Sequence, residues 1–321
     1  MKFDKQPTSI DEQIDLLRSR GMTWDDEAYA RRWRETVGYY RLSAYWLPSE
    51  QPARNDQTRS KTFKPGTSFE EITEIYRFDR RLRLLVMEAI ECIEVSVRSR
   101  WTNRLAVAKG GHAHVDASLF SSGWEHARQF SKVSGQVEDS NEVFVRHYRR
   151  KYNTPFIPPL WAVTELMSFG QLSKWVKLTS DPSILSGLAT DIGLPTKETL
   201  TGTLEHLVDV RNHCAHHSRL WNRKLVKRLP NIKRYREDLV FDPEAAATQR
   251  QLSNEIYNTL AVLMHLMRTQ PHATDFPTRL VEQITSVSND KRLAMGFPLD
   301  WRERPVWYTV PLTPASRPLG A

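Results

Sequence analysis

An all-α fold is what this sequence predicts, on three observations. Apolar residues recur at three- and four-residue steps over long stretches, helix-start signals precede those stretches, and no alternating strand pairs or Asn-Gly or Asp-Gly hairpins occur. The 321 residues are 40% hydrophobic and 26% charged, ordinary values for a globular chain that argue against wholesale disorder. Lys and Arg number 46 against 38 Asp and Glu, a formal charge of +8, which favours polyanionic partners over small-molecule chemistry as a first expectation.

The elements follow in order. Ser9 and Glu12 make a capping box for a short helix through Arg20 that stops at Gly21, and a second helix covers Glu27 to Thr36 before Gly38. The polar stretch Pro48 to Thr67 reads as a loop. From Ser68 to about Leu105 the residues Ile72, Ile75, Tyr76, Leu82, Val86, Ala89, Ile93, Val97 and Trp101 mark one long amphipathic helix, started by Ser68 with Glu71 three positions on. The Gly- and Ser-containing region Lys109 to Asn141 reads as a second loop. Pro159 opens a helix with Leu160, Val163 and Leu166, and Asp181-Pro182 opens another with Ile184, Leu185 and Leu188. Asp242-Pro243 is expected to begin a late helix whose buried stripe is Leu252, Ile256, Leu260, Leu263 and Met267. After Asn289 the prolines argue against helix, although Trp301, Trp307 and Tyr308 suggest a segment pinned to the body. The expected organisation is a helical segment and loop over 1–66, a helical core over 67–288 and an irregular C-terminal tail over 289–321.

No stretch approaches the ~18 uninterrupted apolar residues of a membrane span, and the first residues carry no apolar core of a signal peptide. A cytoplasmic protein without membrane association is the expectation. The two cysteines, Cys92 and Cys214, lie among apolar neighbours and are expected to be buried thiols.

Chemistry concentrates between Thr199 and Arg236. Leu200, Leu204, Leu207, Cys214 and Ala215 share one helix stripe, and onto this element fall Arg211, Asn212, His213, His216 and His217. His213, His216 and His217 are three of ten histidines. An arginine followed five positions later by a histidine is weak by itself, since chance supplies roughly one such pair in a chain of this composition. Helix geometry also sets residues five apart about 140° from each other, so Arg211 and His216 diverge on a straight helix while Asn212 and His216 share a face. Arg211 would then be partly buried, with Asp209, Glu205 or a carboxylate of another helix as partner. The flank from Arg219 to Arg236 holds Arg219, Arg223, Lys224, Lys227, Arg228, Lys233, Arg234 and Arg236 without an acid. Interleaved Trp221 offers a ring that could stack on an unpaired base or fill the core equally well. Arg146 to Lys151 is a smaller basic cluster.

Here the sequence resembles the Abi-like (abortive infection, AbiD/AbiF-type) family of phage-defence proteins, placed in the HEPN superfamily of helical ribonucleases. The resemblance is carried by RNHCAHHSRLWNR at 211–223, GYYRLSAYW at 38–46, the run from Phe63 to Arg98, PPLWAVTELMSFGQLSKW at 158–175 and MGFPLDW at 295–301. It implies a HEPN-like helical bundle with an N-terminal helical extension. It further implies a metal-independent endoribonuclease in which 2′-OH attack cleaves RNA at a site shared by two chains of a homodimer. Arg211 and His216 match the family's arginine and histidine, Asn212 the polar position after the arginine, and His217 also satisfies the spacing. His213 is placed with them in support. The chemistry fits: an imidazole, with a reference pKa near ~6.5, can take either proton role at neutral pH, and a guanidinium can grip phosphate through two hydrogen bonds. No cofactor and no metal are expected, His213 with His217 being the nearest approach to a metal clip. A nuclease of this kind needs restraint, so a regulatory non-coding RNA or an antitoxin is an expected partner. The rival reading is a non-catalytic RNA-binding defence module whose histidines are structural.

Overall fold

The computed structural model describes residues 6–53, 59–245, 251–271, 275–308 and 310. These residues form fourteen α-helices and five 3-10 turns with no strand among them, only four isolated bridges. The fold is all-α. It divides into two compact units, one through Leu82 and one from Arg83 onward.

The first unit contains α1 (Ile10–Ser19), α2 (Glu27–Val37), α3 (Tyr39–Trp46) and the start of α4 (Phe69–Lys109). The Ser9–Glu12 capping box is present and Gly21 follows the end of α1 with φ +92°. Gly38, at φ +84° and ψ 152°, turns α2 directly into α3. A side chain there would meet severe backbone strain. Ile14, Leu17, Leu42, Trp46 and Phe69 make the core, and Tyr45 donates a 2.6 Å hydrogen bond to fully buried Asp79. Helix α4 starts where Ser68 Oγ accepts the Glu71 N–H, and it covers the long amphipathic stretch read from sequence.

The second unit holds the rest of α4, then α5 (Gly123–Asp139), α6 (Val143–Lys151), α7 (Leu160–Leu166), α8 (Phe169–Leu178), α9 (Pro182–Ile192), α10 (Lys197–Ala215), α11 (Ile256–Met267), α12 (Phe276–Thr285), α13 (Asn289–Leu293) and α14 (Pro305–Tyr308). Helix α10 packs on α8 and α9, and α5 on α7 and α8. Both cysteines are buried and neither forms a disulfide.

Three expectations are corrected. The region expected to be a loop between Lys109 and Asn141 contains α5, capped by Ser122, whose inward stripe is His126, Gln129, Val133 and Val137. Half of that stripe is polar, so hydropathy hid it. The late helix begins at Ile256 rather than near Asp242: Phe241 bridges Leu252, and Asp242 N–H donates to the Gln251 carbonyl at 2.8 Å, so the chain folds back on itself first. Residues 246–250 lie outside the described residues. Every α11 residue except His265 is buried, which makes it a core helix rather than a striped one. The tail after Asn289 does hold helix: α13 lies ahead of the prolines, and in α14 Pro305 occupies a first turn where no N–H is needed. Trp301 and Trp307 are buried in it, but Tyr308 is 75% exposed and pins nothing.

Candidate active site

Helix α10 is prepared at both ends. At its start Thr196 caps the Thr199 N–H. At its end the Ser218 N–H reaches the His213 carbonyl at 2.8 Å and the His217 N–H reaches the Cys214 carbonyl at 3.0 Å, the paired bonds of a Schellman motif. The residue at its left-handed position is usually glycine. Here it is His217, at φ +57°. The α-helix therefore stops at Ala215, with His216 as its cap and His217 turning the chain away.

Asn212 and His216 are exposed on this last turn and His217 is exposed beyond it, while Arg211 and His213 are half-buried. His213 Nε2 lies 3.7 Å from Asp209 Oδ2, too far for a hydrogen bond. Burial pushes the His213 imidazole below its ordinary pKa, Arg223 and His216 push the same way, and Asp209 opposes them. Arg223 and His216 thus both act electrostatically on His213 at the end of α10. Asn222, like His217, has a left-handed backbone, at φ +50°, and the Arg223 guanidinium beyond it donates to the Arg219 carbonyl at 3.1 Å within the flank. A helix C-terminus carries partial negative charge and does not attract anions. Any phosphate held here depends on the guanidinium and imidazole groups themselves.

Arg211 stands apart. Of its expected carboxylate partners, Glu205 binds Lys177 at 2.6 Å, and Asp209 lies 3.7 Å from His213 with its buried Oδ2 in no hydrogen bond among the described residues. Among the described residues no hydrogen bond or ion pair engages its guanidinium. Among the described residues no three His, Cys, Asp or Glu side chains converge as a metal-binding group.

The basic flank is irregular chain apart from a 3-10 turn at Lys233–Tyr235, and it is anchored by buried Leu220, Leu225, Leu229, Ile232 and Tyr235. Between these anchors Lys224, Lys227, Arg228, Lys233, Arg234 and Arg236 are exposed, with Arg219 and Arg223 half-buried. Arg228 is committed to Asp242 at 3.0 Å and to the Leu252 carbonyl at 2.8 Å. Trp221 is corrected: it is 4% exposed and its indole N–H donates to the Lys291 carbonyl at 3.1 Å, so it belongs to the core and cannot stack on a base.

Sequence reading missed His206. It is 2% exposed, and its Nδ1 lies 2.7 Å from the Lys227 carbonyl and its Nε2 2.8 Å from Thr259 Oγ1. A carbonyl only accepts, so Nδ1 carries the proton and Nε2 accepts from the threonine hydroxyl. Burial lowers its pKa to about 4. This neutral imidazole ties the basic flank to α10 and α11. A histidine inside an apolar helix stripe, between Thr203 and Leu207, was the available signal.

The family model described as Abi-like protein matches residues 32–222, more than half of the chain and including the whole end of α10. The chain belongs to the Abi-like family. Membership supports a role in abortive infection, the defence that halts growth of a phage-infected cell. The match stops one residue short of Arg223 and leaves MGFPLDW at 295–301 outside. No curated protein and no solved structure matches the chain. Among the described residues no helix is long and apolar enough to cross a membrane.

Proposed function

We propose that this Abi-like protein is a HEPN-type, metal-independent endoribonuclease. The observation that carries the reading is the end of α10, where exposed Asn212 and His216 stand with half-buried Arg211 and His213 and a basic flank leads away. In the proposed reaction an imidazole takes the proton of a ribose 2′-OH and the O2′–P bond forms. The P–O5′ bond breaks, and a second imidazole returns a proton to O5′. The products carry a 2′,3′-cyclic phosphate and a 5′-hydroxyl. Arg211 and Arg223 stabilise the added negative charge on phosphorus.

The 140° divergence of residues five apart on a helix is relieved in a two-fold dimer, where the histidine of one chain faces the arginine of the other. His216 is assigned to proton transfer and Arg211 to the transition state, with Asn212, His213 and His217 in support. Exposed Lys224, Lys227, Lys233, Arg234 and Arg236 supply salt-sensitive phosphate affinity.

The test compares cleavage of RNA by the wild type, His216→Ala and Arg211→Ala at matched RNA affinity, with and without EDTA. Product ends are read as cyclic phosphate and hydroxyl. Equal cleavage by all three proteins removes the catalytic assignment and leaves the basic flank as a binding surface.

A further inference from the structure

A cavity of about 630 Å³ opens beside α6 and α7, lined among others by His112, Phe144, Tyr148, Tyr152, Trp161 and Glu165. None of these residues belongs to the cluster at the end of α10. Its volume lies within the ~300–1,000 Å³ usual for ligand sites. Its rim is aromatic and open to solvent, with Trp161 56% exposed, Tyr152 45% and nearby Phe156 72%. Single exposed aromatics are commonplace, but several around one concavity mark a binding surface.

The rings are held in place. The Trp161 indole rests against Gly111, where an added Cβ would come within 2.9 Å of it. Tyr148 donates to the Pro155 carbonyl at 2.8 Å and its ring lies 5.1 Å from that of Tyr152. Lys151 Nζ sits 5.4 Å from the centre of the Tyr152 ring. Helix α6 carries Arg146, Arg149, Arg150 and Lys151 and no carboxylate. Arg149 is bound to the Val137 and Glu138 carbonyls. Arg146 and Arg150 are exposed, and their side chains make no hydrogen bond or ion pair with another described residue.

Fixed, solvent-facing aromatic rings next to a helix whose exposed surface carries uncommitted cations suit one kind of polymer, a single strand that presents flat bases on a phosphate backbone. We propose that this cavity takes an unpaired base of single-stranded RNA, stacked on Trp161, with the next phosphate on Lys151 and phosphates further along the strand on Arg146 and Arg150, which α6 carries on another exposed face. His112, His147 and Glu165 then offer hydrogen-bonding groups to the base edge. The proposal rests on the reading of this protein as acting on RNA, but through residues remote in sequence from Arg211 and His216.

The experiment measures binding of a labelled twelve-nucleotide 2′-O-methyl RNA, which cannot undergo 2′-OH attack, to the full-length protein by fluorescence anisotropy. Trp161→Ala is expected to weaken binding about tenfold, within the range of one lost base stack, while leaving the salt dependence unchanged. Gly111→Ala, which displaces the indole without removing it, should lose affinity in the same direction, and Trp161→Phe should keep most of it. Arg146→Ala with Arg150→Ala should flatten the slope of log affinity against log salt by about 1.4, the loss of two phosphate contacts to a single strand. Wild-type affinity in both Trp161→Ala and Gly111→Ala overturns the proposal. So does a loss confined to a proline-rich peptide probe with RNA binding intact, which would make the cavity a protein site. Cleavage is scored separately: if His216→Ala cuts like the wild type while Trp161→Ala still loses affinity, the catalytic reading fails and this one stands.

Discussion

Two imidazoles on the same helix show opposite uses of one side chain. His206, in the middle of α10, is sealed between the basic flank and α11, with both ring nitrogens bonded and its pKa lowered to about 4. His216, at the end of the helix, is exposed and its side chain makes no hydrogen bond to a described residue. Burial with fixed partners removes a histidine from proton chemistry at neutral pH, whereas exposure at a helix end leaves it available. What separates the two is ten residues of helix and the depth of the neighbouring elements.

The sharpest test of that contrast is catalytic. His216→Ala should cut RNA cleavage by about 10²–10⁴-fold with an unchanged melting temperature, as loss of a general acid or base does. His206→Ala should do the reverse, lowering stability by roughly 3 kcal/mol through a cavity and an unpaired Lys227 carbonyl. A melting temperature that falls equally in both variants would erase the distinction.

Acid should expose the buried population next. His206 and His114 have pKa values lowered to about 4 by burial, below the ~6.5 of an unfolded imidazole. The unfolded state therefore binds protons first as pH falls. The stability these neutral rings contribute is complete above about pH 6.5 and is lost progressively toward about pH 4, on the order of 3 kcal/mol for each ring. Thermal melts across that range check it, and His206→Ala should flatten part of the decline.

The smallest expected effect decides between neighbours. His217→Gly relieves a left-handed residue and should raise stability by roughly 1 kcal/mol. If His216 carries the chemistry, cleavage by this variant survives. A more stable but inactive His217→Gly protein would transfer the proton role to His217.

Much of this was legible in advance for reasons that are local. The α1 capping box, the start of α4, the helices after Pro159 and Asp181 and the end of α2 at Gly38 all rest on contacts within a few residues, so short sequence patterns report them. Helix α5 escaped because His126 and Gln129 fill half of its buried stripe, and the early start assigned to α11 failed because Phe241 pairs with Leu252 instead. Trp221 was ambiguous in one dimension and is settled by the Lys291 carbonyl, seventy residues away.

By itself, the sequence determined the helical class, the family, and the gathering of Arg211, Asn212, His213, His216 and His217 around the end of one helix, although His216 caps that helix and His217 lies beyond it, because periodicity and motif spacing are properties of neighbouring residues. Only the tertiary structure decided which imidazoles reach solvent, that His206 is sealed between the basic flank and α11, and that Trp221 lies inside while Trp161 lies open. Burial and partnership are set by chain segments far apart in sequence, and no local pattern encodes them.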